Sequence, residues 1–575
     1  MKLNAKIHGQ TSTYIAVCFY LALLTGFFYS CHEKVKAPLH EVVKSPEQMK
    51  EKVPEVIQKI VAQMADNGGR LDSEIIMQAS TVQYLYKKDR YDAKWSRDTS
   101  LTVTARALIS FIGNCRLYGL FPDDYHYDRI ISLNEKLADT SAGKKDAALW
   151  SREDVFLTDA LLQIIKDIKL GRLQRDSITL RADSTLTKEF YEEQLNKMIQ
   201  SMTIARLIDS LEPPTKDYHE LKNGIKNFLD SAHFINYTYV PYPVYDSVGF
   251  RRALPKRLVE AGVLDSSASP DDQAKISKAI RIYQQTNRLT VDGKAGMETI
   301  RTLNLTDREK FIRIALTLDK YKMLPSTMPE TYVWVNLAGY YMQLRVNDTV
   351  KIDSKVVVGK PLTRTPELTS AISEMITYPQ WSVPQSIIVK EFLPELKKDP
   401  GYLAKKGFSL LDGKNEEVDP YIVDWSKYKT AIPYKIVQGS GDDNALGIMK
   451  FNFPNKYAVY MHDTNQRYLF RQTSRALSHG CVRVQQWEQL TDYILKNDST
   501  NTKSAGVHSL VKADSVFKWL NNKEKHSIPV HNKIPLFIRY LTCEGRDGKI
   551  VFYDDVYNED HMLGERYFSK KLLDN

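Results

Sequence analysis

The strongest constraint on how this chain folds is a change of hydrophobic period near residue 330. Upstream, apolar side chains recur at three- and four-residue spacing, as in Val53, Val56, Ile57, Ile60, Val61 and Met64, which gives a helix one buried stripe. Downstream, Tyr332-Val333-Trp334-Val335-Asn336-Leu337, Tyr340-Tyr341-Met342-Gln343-Leu344-Arg345-Val346 and Ser354-Lys355-Val356-Val357-Val358-Gly359 are β-branched and aromatic runs of strand length. Ala338-Gly339 and Asn347-Asp348 supply the turns between them. Helices first and strands afterwards predict an α+β multidomain fold. A chain of 575 residues is also too long for one core, since domains average roughly 150 residues.

The helical part divides at turn signals. From 40 to 247 these are Tyr118-Gly119-Leu120-Phe121-Pro122-Asp123-Asp124, Leu170-Gly171-Arg172 and Glu212-Pro213-Pro214-Thr215. Thr158 or Asp159 is placed to cap and start one helix. His126, His219 and His233 are isolated, and no chemistry is assigned to this region. A smaller unit follows at 248–305, where Ala279–Gln284 is amphipathic. In Leu289-Thr290-Val291-Asp292-Gly293-Lys294-Ala295-Gly296 a tight turn lets Gly293 and Gly296 adopt φ > 0, and Met297–Leu303 begins the next helix. Residues 306–330 read as a helical linker and 331–560 as the β-rich domain. Within the latter, an insertion at about 385–438 is rich in Lys, Pro and Tyr; a segment of that length is functional or structureless.

The first 31 residues differ from the rest. Lys2 and Lys6 precede an apolar run from Tyr14 to Tyr29, the pattern of an export signal. Ser30-Cys31 ends it like a lipoprotein processing site, with an uncleaved anchor as the alternative. Cys115, Cys481 and Cys543 remain, an odd number, so at least one thiol stays free in an oxidising compartment. The net charge of +10 suits an acidic polymer or a merely basic surface, and no nucleic acid partner is expected.

Of the three cysteines only Cys481 has a histidine close by, in Ser478-His479-Gly480-Cys481-Val482-Arg483-Val484; a second, His462, lies in Met461-His462-Asp463-Thr464. A thiol with an ordinary pKa of about 8.5 needs an imidazole to ionise near neutrality. His462, arriving from another strand, can meet the sulfur without backbone strain, whereas His479 is only two residues away. Asp463 or a backbone carbonyl would orient the base. Gly480 permits a turn that could present the Gly480 and Cys481 amides to an oxyanion. Arg483 has the planar fork that suits a carboxylate, with a surface ion pair as the plain alternative, and Tyr460 and Trp381 are candidates to line a groove. For Trp381, core packing is the preferred reading. With no His-x-x-x-His or Cys-x-x-Cys pair, neither metal nor cofactor is expected.

Histidine, an intervening stretch and Ser-His-Gly-Cys-Val-Arg resembles the active-site motif of the L,D-transpeptidases (YkuD domain) of the large Gram-negative type. Pro379–Pro384 and Asp443–Gly447 resemble further signatures of that family, 40–247 resembles its helical scaffold, and 248–305 resembles the type 1 peptidoglycan-binding domain, with Arg288 where that motif has Gly. The resemblance implies Cys481 as nucleophile, His462 as base and Gly480 in the oxyanion turn, with His479, Ser478, Arg483 and Tyr460 against substrate. It implies the 385–438 insertion as a lid and a periplasmic, membrane-attached enzyme in cell-wall and cell-shape maintenance, acylated by carbapenems. The implied reaction takes a peptidoglycan tetrapeptide stem, releases D-Ala and makes a 3→3 cross-link. Hydrolysis or wall-protein attachment at the same site, or a non-catalytic peptidoglycan-binding lipoprotein, are the alternatives. Glycan and other wall-synthesis proteins are the implied partners.

Overall fold

The computed structural model describes residues 36–139, 143–173, 185–200, 203–287, 289–503 and 511–568. The export segment with Cys31, and Arg288, lie outside them. The chain is α+β and forms two compact units.

The first unit comprises Met1–Asn114, Pro122–Ile168 and Thr185–Leu211. Its helices are α1 (Pro46–Asp66), α2 (Ala79–Lys88), α3 (Val103–Gly113), α4 (Tyr127–Asp139), α5 (Ala147–Lys169), α6 (Lys188–Gln200) and α7 (Ile204–Leu211). The stripe Val53, Val56, Ile57, Ile60, Val61 and Met64 on α1 is buried as its period requires. Of the 23 residues of α5 only Lys166 and Lys169 are not buried, so its polar side chains must be satisfied internally. Asp154 accepts from the amides of Lys94 (3.0 Å) and Trp95 (2.8 Å) and from the Tyr86 hydroxyl (2.6 Å).

No helix begins at Thr158 or Asp159; both lie inside α5. Asp159 instead accepts from the amides of Met77 (3.0 Å) and Gln78 (2.7 Å), capping the start of α2, and faces His126 Nε2 at 2.8 Å. A capping side chain is present, but it caps a helix distant in sequence.

The second unit comprises Cys115–Phe121, Lys169–Ser184 and Glu212–Asn575. After α8 (Lys216–Leu229), helices α9 (Ser247–Glu260), α10 (Gln273–Thr286) and α11 (Met297–Asn304) enclose their own core of Leu254, Leu258, Ile276, Ile280, Ile300 and Leu303. Gln284 holds the intervening turn by accepting from the amides of Asp292 (3.1 Å) and Gly293 (2.9 Å). Gly293 has φ +71° as the turn demands, whereas Gly296 has φ −71° and serves as N-cap of α11. Arg301 ties this module to Asp554 through two contacts of 2.9 and 2.8 Å.

Helix α12 (Asp307–Lys322) differs from the linker expected. Every residue from Phe311 to Tyr321 is buried, so α12 is a core helix. It covers Tyr332, Trp334 and Phe537 on one face of the sheet, while Val333, Val335, Leu536 and Ile538 enter a second core on the other. Its buried Lys320 is held by Asp560 (2.7 Å) and the Tyr540 carbonyl (2.8 Å).

The strands are β1 (Thr331–Asn336), β2 (Tyr341–Val346), β3 (Thr349–Gly359), β4 (Leu368–Thr377), β5 (Trp381–Ser382), β6 (Phe408–Leu411), β7 (Lys435–Gln438), β8 (Met449–Asn452), β9 (Met461–His462), β10 (Ala476–Ser478), β11 (Val482–Val484) and β12 (Ser527–Arg539). Asn347 (φ +47°) and Asp348 (φ +56°) make the tight β2–β3 turn. The large sheet runs β10-β3-β11-β9-β8-β4-β12-β1-β2, and β2 pairs back onto β3, closing a ring. Helices α13 (Trp487–Lys503) and α14 (Ala513–Asn521) add Trp487, Leu490, Ile494, Val516 and Leu520 to the core inside it, and α15 (Glu559–Phe568) packs with α12.

The insertion is structured. Short helices between Gln385 and Lys405 and the small sheet β6-β7-β5 enclose Ile388, Phe392, Leu396, Leu403, Trp425 and Ile436, a core separate from that of the ring.

Candidate active site

The site lies on one face of three adjacent strands. Lys450 on β8 pairs with His462 on β9, and His462 pairs with Arg483 on β11. Residues directly opposite on paired strands share a face, as do residues two apart along one strand. The first rule aligns Lys450, His462 and Arg483. The second adds Tyr460, just before β9 with its ring centroid 5.7 Å from that of His462, and Cys481, just before β11.

His462 is buried, 4% exposed. Its Nδ1 lies 2.5 Å from the carbonyl of Asp463, so a backbone oxygen orients the ring. The Asp463 carboxylate points elsewhere, accepting from the Ile448 amide (3.1 Å) and from Arg467 (3.1 Å). Burial first, and then the Arg483 guanidinium, push His462 down to about 3, with Lys450 adding to the effect. The imidazole is therefore neutral at physiological pH, and burial and the two neighbouring cations keep its basicity low.

Cys481 is half-buried and forms no disulfide. Burial pushes its thiol up, against the Tyr460 amide and hydroxyl and the charges of Lys450 and Arg483, which favour the thiolate. The sulfur and the His462 imidazole occupy neighbouring strands but share no hydrogen bond. Catalytic contacts of this kind often tighten only with substrate bound.

The turn before the cysteine departs from expectation in one respect. Gly480 adopts φ +121°, a conformation closed to L side chains. Its amide, however, donates to Ser478 Oγ (3.1 Å), and that hydroxyl donates to the Cys481 carbonyl (2.6 Å). The Gly480 N–H is thus committed to the turn. Thr363 Oγ1 (3.2 Å) and the Lys360 amide (2.9 Å) bind the Ser478 carbonyl, and Thr365 Oγ1 (2.8 Å) binds that of Gly480.

His479 meets Glu391 of the insertion at 2.5 Å. Both line a cavity of about 480 Å³ with Tyr242, Tyr245, Met297 and Leu362. Arg483 makes no ion pair among the described residues; its Nη1 donates to Thr464 (3.2 Å) and Gln466 (2.9 Å). Trp381 is half-buried on β5, packs against the core of the insertion with its ring centroid 6.0 Å from that of Phe408, and also meets the Tyr460 hydroxyl. The sequence reading missed Lys450 and Glu391. A lysine between Met449 and Phe451 on a strand was the signal for the former; nothing local marks the latter. No cluster of metal-ligating side chains occurs among the described residues.

Three regions match known family models: 330–504 the "L,D-transpeptidase catalytic domain", 80–224 the "Scaffold domain" and 249–303 the "Putative peptidoglycan binding domain". The chain therefore carries the catalytic domain of the L,D-transpeptidases, together with a scaffold domain and a peptidoglycan-binding-type module. A curated relative from Haemophilus influenzae, "Putative L,D-transpeptidase", is 33% identical over 272 residues, 46% of this chain and 53% of that one. The chain thus spans about half the length of that relative. Two solved structures also align. "Structure of the Ldtfm-avibactam carbamoyl enzyme" is 12% identical over 37% of this chain and 49% of that chain, with a TM-score of 0.16. "L,D-transpeptidase from Mycobacterium smegmatis" is 11% identical over 36% and 58%, with a TM-score of 0.17.

Proposed function

We propose that the chain is a cysteine L,D-transpeptidase acting on peptidoglycan stem peptides. The observation that carries this reading is the neutral, carbonyl-oriented His462 on the strand beside Cys481.

In this mechanism His462 takes the Cys481 proton as the sulfur attacks the carbonyl between the L-centred third residue of a tetrapeptide and D-Ala. The Cys481 amide stabilises the oxyanion. The C–N bond breaks, the leaving D-Ala amine takes the proton from His462, and a thioester remains on Cys481. A side-chain amine of a second stem attacks the thioester, forming a 3→3 amide and returning the proton to the thiol. Water in place of the amine gives a tripeptide. The module at 249–303 would hold glycan nearby, and an N-terminal lipid or anchor would place the enzyme in the periplasm. Carbapenems would acylate the same sulfur.

The test is incubation of the protein with a disaccharide-tetrapeptide, read by mass spectrometry. Loss of D-Ala with formation of a dimer, abolished in Cys481→Ala, is the expected result. Monomeric tripeptide alone would reassign the site to hydrolysis. No change with the wild type would leave a wall-binding protein.

A further inference from the structure

Two cations flank His462 without carboxylate partners. Lys450 is only half-buried on β8, with its ammonium 4.0 Å from the centroid of the Tyr460 ring. The nearby acid, Glu374, is already engaged by Ser527 (2.5 Å) and Asn452 (2.6 Å), and no ion pair to Lys450 forms among the described residues. On the other side of His462, Arg483 spends one nitrogen on the neutral Thr464 and Gln466, and its buried Nε has no partner. Besides His462 and Cys481, Tyr468 is a titratable group whose charge bears on Arg483.

Desolvated cations that form no ion pair are costly, and a site that retains two of them, with only the more distant charge of Glu374 acting on Lys450, is shaped for an anion. Both act on the Cys481 sulfur, the atom that meets the scissile carbonyl. In a donor ending in a single amino acid after that carbonyl, the terminal carboxylate is three bonds away, about 3–4 Å. An anion of the right charge would therefore arrive next to the cations.

Building on the transpeptidase reading, we propose that Lys450 and Arg483 form a receptor for the free C-terminal carboxylate of the donor peptide, and that Lys450 is a specificity-determining residue. Binding that carboxylate also neutralises the two charges that disfavour a protonated His462. The base is then able to hold a proton only when a donor of the correct length is seated. An amide or one further residue at that end removes or displaces the negative charge and leaves the base unassisted.

The experiment uses the full chain and two donors, a disaccharide-tetrapeptide with a free D-Ala carboxylate and the same compound ending in D-alaninamide. The rate of tripeptide-enzyme thioester formation is measured for the wild type, Lys450→Met and Lys450→Arg. The wild type is expected to favour the acid by about tenfold or more, the scale of one charge-assisted contact. Lys450→Met is expected to slow the acid donor far more than the amide donor, so that most of the preference is lost, and Lys450→Arg to retain it. Equal loss on both donors, with the preference intact, would overturn the proposal and mark Lys450 as structural. Equal wild-type rates on both donors would overturn it while leaving acyl transfer standing. Failure of the wild type on both would overturn the transpeptidase reading and this proposal with it.

Discussion

His479 and Glu391, 88 residues apart in sequence, meet at 2.5 Å and join the cysteine-bearing turn to the insertion. The imidazole side chain is 28% exposed and the carboxylate 49%, so the contact is worth roughly 0.2–1 kcal/mol. Glu391→Gln is expected to raise KM for the donor up to about fivefold with kcat nearly unchanged. Faster limited proteolysis within 385–438 should accompany it. An unchanged KM with slower chemistry would show that Glu391 acts on the sulfur and not on the position of the insertion.

The state of His462 predicts a pH dependence of stability. Its folded value near 3 lies below the ~6.5 of an unfolded histidine. Between those values the unfolded chain binds a proton that the folded chain lacks, so this group's contribution is full above ~6.5 and is lost as pH falls toward 3. Urea unfolding of the wild type and His462→Gln should show the difference between them shifting against the wild type by up to ~1.4 kcal/mol per pH unit below about pH 6. A difference independent of pH would contradict a neutral buried imidazole.

Gly480→Ala tests the turn. An added Cβ would lie 3.5 Å from the Arg364 carbonyl, so space is available and the cost is conformational. Holding an L residue at φ +121° costs roughly 1–3 kcal/mol. The turn is expected to relax and move Cys481, lowering the rate of thioester formation at least about tenfold, with an unfolding midpoint only a few degrees lower.

Glu153 on α5 offers a prediction away from the site. Both its carboxylate oxygens are buried without a partner, and burial, reinforced by Asp154, pushes it up to about 8. The folded chain then keeps a proton that the unfolded chain releases above ~4.3, so stability from this group is full below that value and is lost as pH rises toward 8. Glu153→Gln is expected to stabilise the helical unit by roughly 1–3 kcal/mol near pH 8, with little gain near pH 5, as measured by thermal unfolding at both values.

What was legible in the sequence depended on the range of the interaction. The α1 stripe and the β1 to β3 hairpins are local, carried by contiguous runs of residues. The role of Asp159 was not, because a capping carboxylate looks the same whether it caps its own helix or one about eighty residues away. The region 306–330 read as a linker because Arg313, Asp319 and Lys320 look like a solvated face in the sequence, whereas the fold buries them. Gly480 was rightly assigned a special backbone angle, but the use of its amide depended on the Ser478 rotamer. Lys450 became visible only through strand register, which no run of residues records.

That register has one more implication. Strand β12 sits between β4 and β1 in the middle of the ring, and α12 roofs Tyr332 and Trp334, yet both lie outside the 330–504 stretch that matches the catalytic family. Cutting the chain at those limits would breach the barrel wall and strip its cover, leaving two strands seeking a neighbour. The stretch recognisable by descent is thus smaller than the piece able to stand by itself.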